Sequence, residues 1–285
     1  MKYINIFVLL TGLTLPLTSQ AFRPDQGDGW GPTAASNVES VRNTRHNLTV
    51  EYASWRAFMN PYFNNYGEVC VYCHTPHGAN SSVQGAPLWN RSVSTAEYTL
   101  YSQGNLPISG PGPNSVTCLS CHDGTIAIDA IINMPGRGGY DPTHQMNEAF
   151  LDSWAGDIQH QTMTQCTQCH FRGNGWSIPD LGLYTVGPDL SNDHPIGVVF
   201  PTAGDFAVPS GMTPGGMQFF DRDGDNRADP NEIRLYNSGE GHEVECASCH
   251  DPHGVMDPNG GSTFIASFLR VRNDNSALCF TCHNN

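Results

Sequence analysis

The sequence predicts a mostly irregular fold with short α-helices and few strands. Two observations carry this expectation: 30 glycines and 20 prolines in 285 residues, and no long segment with apolar residues at helical spacing. A chain so rich in turn formers cannot build a large core from side chains alone, so something else must fill the interior. A third observation, ten cysteines in one repeated pattern, indicates what does.

The N-terminus reads as a signal peptide over residues 1–21. Lys2 supplies the positive start, Ile4 to Leu17 is apolar, and Ser19-Gln20-Ala21 offers small residues at −3 and −1. The run is short for a bilayer span, and Pro16 would break a helix near its end. No cysteine follows it closely, which argues against a lipid anchor, and no second apolar stretch approaches spanning length. The expected product is one domain over 22–285, exported to the periplasm or beyond the cell and not inserted in a membrane. The formal charge is −14, and Lys2 is the sole lysine. So acidic a surface repels phosphate backbones and excludes a nucleic-acid partner, while suiting basic redox proteins or metal cations.

All ten cysteines fall into five copies of Cys-x-x-Cys-His. They are Cys70, Cys73 and His74; Cys118, Cys121 and His122; Cys166, Cys169 and His170; Cys246, Cys249 and His250; and Cys279, Cys282 and His283. Two thiols at this spacing add across the two vinyl groups of a haem, and the adjoining histidine becomes the proximal iron ligand. Zinc sites, thioredoxin-like pairs and disulfides also use Cys-x-x-Cys, but none requires a histidine directly after the second cysteine. Histidine is 12 of 285 residues, so five such placements are not coincidence. The expectation is five covalent haem c groups and a chain wrapped around them as a multihaem cytochrome c.

Seven histidines remain: His46, His77, His144, His160, His194, His242 and His253. Five would close every iron with two imidazoles, which suits electron transfer; a catalytic haem keeps one position open. Met59, Met146 and Met163 are the alternative sixth ligands, read first as ordinary apolar residues. An internal repeat, CVYCHTPHG from Cys70 and CASCHDPHG from Cys246, puts His77 and His253 three residues beyond a proximal histidine. Such a residue cannot reach the far face of its own haem. It can ligate a neighbouring one, or be a surface histidine after a turn.

At these residues the sequence resembles c-type cytochromes with doubled CxxCH motifs, including tetrahaem carriers and, more distantly, cytochromes that polymerise into conducting extracellular filaments. The stretches that carry the resemblance are RHNLT, CVYCHTPHGA, APLWNR, CLSCHDGT, SNDHPIG, EIRLY, VECASCHDPHG and SALCFTCH. The resemblance implies four distal ligands, His46, His77, His194 and His253. The site at Cys166 to His170 departs from that pattern as an insertion. Its distal ligand is expected from His160 first, then His144, then His242.

Residues 221–232 form a separate candidate. Asp221, Asp223, Asp225, Asp229 and Glu232 occupy the acidic positions of a twelve-residue EF-hand-like loop, and Arg227 offers a backbone carbonyl at the seventh. Asn226 stands where glycine is usual. The expectation is a structural Ca2+, with a solvated acidic turn as the plain alternative. Loops are expected at Gly104 to Asn114, Pro135 to Pro142 and Pro209 to Gly216, with short helices around each CxxCH and across Val50 to Met59.

The leading functional expectation is an electron conduit, not an enzyme. Its partners would be redox proteins, extracellular metal or mineral acceptors, or further copies of itself in a filament. The alternative is a reductase of a small nitrogen or sulfur oxyanion, with an open haem at His170 and Arg172 nearby to bind the anion.

Overall fold

A computed structural model describes residues 40–49, 66–83, 85–101, 110–126, 128, 130–134, 184–259 and 264–284. The signal peptide, the third CxxCH site, His144, His160 and the expected helix across Val50 to Met59 lie outside them.

Within these residues the chain is mostly irregular, as its composition dictates. Three short α-helices occur: α1 (Pro113–His122), α2 (Cys246–Cys249) and α3 (Ala277–Cys282). Each ends in a CxxCH motif. At the first site a 3-10 turn (Val69–Tyr72) takes the same place. A helical turn is what the motif needs, because it sets both sulfurs and the following imidazole on one side of the backbone.

The strands are few and short, in one antiparallel sheet. They are β1 (Val198–Val199), β2 (Gly211–Met212), β3 (Gln218–Phe219), β4 (Arg234–Asn237) and β5 (His242–Val244), in the order β1-β5-β4-β3-β2. The β4–β5 hairpin pairs Tyr236 with Glu243 and turns through Gly239 and Gly241, both at positive φ. Gly211 pairs with Phe219, whose ring would lie 2.2 Å from any Cβ placed there. The sheet presents α2 directly after β5, so its register fixes where the fourth site begins.

Two loop expectations are corrected at their ends. Pro113 and Asn114 open α1 rather than closing a loop, since proline is well placed in a first helical turn where no amide partner is needed. Gly211 and Met212 are a strand, because Phe219 covers the glycine. The side-chain core is small. Phe200, Phe220, Ile233, Leu235 and Val271 are buried together, with Cys249, Leu278 and Cys282 packed against them. A second cluster of Tyr66, Tyr72 and Ile131 packs on Cys73. Both cores lie against motif cysteines, so the apolar residues support the sites.

Candidate haem-attachment sites

The first, fourth and fifth sites are built to one backbone plan. At the first, Thr75 N–H donates to the Leu88 carbonyl at 3.0 Å and Asn90 N–H to the Cys73 carbonyl at 2.9 Å. At the fourth, Asp251 N–H donates to Phe268 at 2.8 Å and Arg270 N–H to Cys249 at 2.7 Å. At the fifth, Asn284 N–H donates to Asp205 and Ala207 N–H to Cys282, each at 2.9 Å. Each strap meets its histidine in an antiparallel bridge, to Trp89, Leu269 and Phe206 respectively. Leu88 and Phe268 share left-handed backbone, with φ of 52° and 56°. The nine-residue repeat therefore extends into segments whose sequences differ too much to betray it.

The straps also orient the imidazoles. His74 Nδ1 donates to the Pro87 carbonyl at 2.6 Å and His250 Nδ1 to Ser267 at 2.7 Å. At the second site His122 Nδ1 donates to Tyr184 at 2.6 Å. An imidazole whose proton is held on Nδ1 presents a bare Nε2, the form that binds a metal. Burial lowers the pKa of His74, His122 and His250, so the rings stay neutral, as ligation requires.

The distal candidates divide. His46 Nδ1 donates to the Pro252 carbonyl at 2.7 Å, and burial pushes its pKa down to about 4. The turn that carries it is fixed by fully buried Asn47, which donates to the Arg42 carbonyl and accepts from Thr49. His46 and His122 stand with ring centres 6.2 Å apart and planes at 74°. His253 and His74 are also 6.2 Å apart, with planes at 13°. Two imidazoles on one metal, each bonded at about 2 Å, need ring centres roughly 6 Å apart, so both pairs fit a shared iron. His77 and His194 are exposed, as His253 also is; His194 Nδ1 lies 3.1 Å from the carbonyl of the next residue, Pro195. His242, the third-ranked candidate for the inserted site, has Nε2 2.7 Å from the Gly216 carbonyl, which occupies the nitrogen a haem would need.

The cysteines of successive described sites are neighbours. Cys73 lies within electrostatic reach of Cys121, Cys118 of Cys246, and Cys249 of Cys279 and Cys282. Burial pushes the thiols of Cys73 and Cys282 up to about 12 and that of Cys249 to about 11, so these sulfurs sit in apolar surroundings. Fully buried Arg91 ties the first strap to α1, donating to the Ser120 and Ile128 carbonyls at 3.1 and 2.6 Å. Buried Glu245 ties α1 to α2. It accepts from Gly112 N–H at 3.0 Å and from the Ser115 hydroxyl, and caps α2 through Ser248. Sequence reasoning missed Arg91, Glu245 and the straps. The Asp/Thr difference between CHDPHG and CHTPHG was visible, but its consequence was not.

The acidic loop is the β3–β4 connection. Asp221, Asp223 and Asp225 bring carboxylate oxygens within 4.8 Å of one another. Asn226 supplies the left-handed turn with φ of 60°. Glu232 is buried, and its carboxylate accepts from Arg222 N–H at 2.7 Å and Asp229 N–H at 3.0 Å. The Arg227 carbonyl accepts from Asp229 N–H at 3.1 Å.

A family model of the doubled CXXCH motif matches residues 240–285, which contain the fourth and fifth sites. No curated protein matches the chain. Among the described residues no helix is long and apolar enough to cross a membrane. Paired motifs of this kind, each on a helical turn, mark a haem-binding stretch of the c-type cytochrome kind, whose chemistry is electron transfer.

Proposed function

We propose that this protein is an electron carrier holding five haem c groups, one at each CxxCH site, with a histidine on both sides of each iron. The observation that carries the reading is the pair of facing imidazoles, His46 with His122 and His74 with His253, each at 6.2 Å with Nδ1 already bonded elsewhere. Bound haem supplies reversible one-electron chemistry. The chain's own part is to fix imidazole tautomers, pack apolar side chains against Cys73, Cys249 and Cys282, and hold successive sites near one another. His77, His194 and, for the inserted site, His160 complete the proposed distal set.

A carrier of this build turns over no substrate, and its acidic surface suits basic redox proteins or cationic metal and mineral acceptors. We place it outside the inner membrane, in the periplasm or beyond the cell. Exposed His77 and His194 suit ligation across an interface between copies, so a filament is the assembled form to look for. The β3–β4 loop would bind Ca2+ through Asp221, Asp223 and Asp225, with Asp229, Glu232 and the Arg227 carbonyl around it. Intact-mass analysis of the exported protein should show five added haems, and electron paramagnetic resonance of the oxidised protein only low-spin iron. Fewer haems, or a high-spin signal that shifts with nitrite, would overturn the carrier. Negative-stain imaging then separates filaments from discrete particles.

A further inference from the structure

Beyond the two residues between the cysteines, the two repeated sites differ at one position. The residue after the proximal histidine is Thr75 in the first and Asp251 in the fourth. Both are buried, but they do different things. Thr75 hydroxyl donates to the His77 carbonyl at 2.8 Å and leaves the ring alone. Asp251 Oδ1 accepts from His253 Nδ1 at 2.9 Å, while its Oδ2 is held by Arg270 at 2.9 Å. Arg270, itself buried, is anchored independently on the Ala247 and Pro230 carbonyls at 3.0 and 2.8 Å. The carboxylate is thus clamped with one oxygen aimed at the imidazole. The ion pair with buried Arg270 keeps the carboxyl in its charged form.

His46, His74, His122 and His250 donate to backbone carbonyls. A carboxylate is a stronger acceptor than a carbonyl. It draws the Nδ1 proton towards itself, and the ring gains negative character at Nε2. A more basic ligand favours ferric over ferrous iron.

We infer that Asp251, acting through His253, lowers the reduction potential at the first site and so sets it apart from the sites whose imidazoles donate to carbonyls. Asp251 is a positioning residue: it touches a ligand and not the haem. Reduction at that site adds one electron and breaks no bond. Arg270 moderates the effect without removing it, since its charge lies on the far side of the carboxylate. The inference rests on His253 and His74 sharing an iron, as proposed above.

The test compares native protein with Asp251→Asn, which keeps the shape and one acceptor oxygen for His253 Nδ1, but loses the charge and the acceptor that faces Arg270. Asp251→Thr, which copies the sibling site, is the second variant should the amide impair haem loading. Loading is checked by intact mass, and midpoints are read by spectroelectrochemistry. One midpoint should rise by at least a tenfold change in its reduction equilibrium, about 59 mV for one electron, with every iron still low-spin. Unchanged midpoints in a fully loaded variant would overturn the inference. His253→Ala separates that failure from failure of the ligation: a new high-spin haem establishes His253 as a ligand, whereas wholly low-spin iron removes the premise.

Discussion

An imidazole offers iron one nitrogen cleanly when the other is already bonded, and at five described histidines the chain provides that bond. His46, His74, His122 and His250 donate to carbonyls and His253 to a carboxylate. The ring planes add a prediction. Nearly parallel imidazoles split the iron dπ orbitals, while nearly perpendicular ones leave them close in energy. The pair at 13° should therefore give a rhombic low-spin resonance and the pair at 74° a strongly anisotropic one with a large maximal g. His46→Ala should abolish the anisotropic signal and His253→Ala the rhombic one, each replaced by a high-spin signal that added imidazole reverses. If either change removed the other signal, the pairing would be wrong. His242→Ala, whose Nε2 lies against Gly216, should leave every low-spin resonance in place. The individual CxxCH histidines were legible in the sequence because their chemistry is local. Which distal histidine faces which proximal one was not, because residues 46 and 122, or 74 and 253, meet only once the chain has folded.

Glu245 governs how two elements meet. It caps α2, and it accepts from the first turn of α1, where a Cβ on Gly112 would lie 2.5 Å from its carboxylate. Gly112→Ala forces the two helices apart and should cost roughly 1–3 kcal/mol, the range for an added methyl in a packed site, read from denaturant unfolding. Burial pushes Glu245 up to about 7, more than hydrogen bonds from Ser115 and Gly112 pull it down, and nearby Glu243 adds to the rise. The folded protein thus keeps this proton to higher pH than the unfolded chain. Its stabilising contribution is fully present below about 4.5, the ordinary value, and is lost as pH rises through about 7. The shift corresponds to about 3 kcal/mol. Thermal unfolding should occur at lower temperature at pH 8 than at pH 5, and Glu245→Gln should flatten that difference. A native profile already flat over this range would refute the assignment. Little of this junction was legible: Gly112-Pro113 reads as a loop, and only a partner about 130 residues away turns it into a helix start. The β3–β4 loop was more legible, because its acids follow a short-range spacing. Chelator should lower the melting temperature of native protein, and Asp221→Ala should abolish that sensitivity; an equal response in both would leave a solvated turn.

At the scale of the molecule, the cysteine neighbours order the described sites. The first lies near the second at Cys73 and Cys121, the second near the fourth at Cys118 and Cys246, and the fourth near the fifth at Cys249 and Cys279. The row has exposed ends. Cys70 and Cys279 are exposed, while Cys118, Cys121, Cys246 and Cys249 are half-buried. Phe280, inside the fifth motif, is 55% exposed. An apolar ring beside a terminal site on an acidic protein suits brief docking, with charge guiding approach and a small dry contact completing it. Removing the fifth site by Cys279→Ala with Cys282→Ala should lower the intact mass by one haem. It should also slow electron exchange with a small basic redox protein at least tenfold, while exchange among the remaining haems is kept. Phe280→Ser should slow that exchange less and leave the haem count intact. Added salt should slow native exchange, because screening weakens the guiding charge. If loss of the fifth site left the exchange rate unchanged, electrons would be leaving elsewhere along the row, and the exposed fifth site would not be the exit.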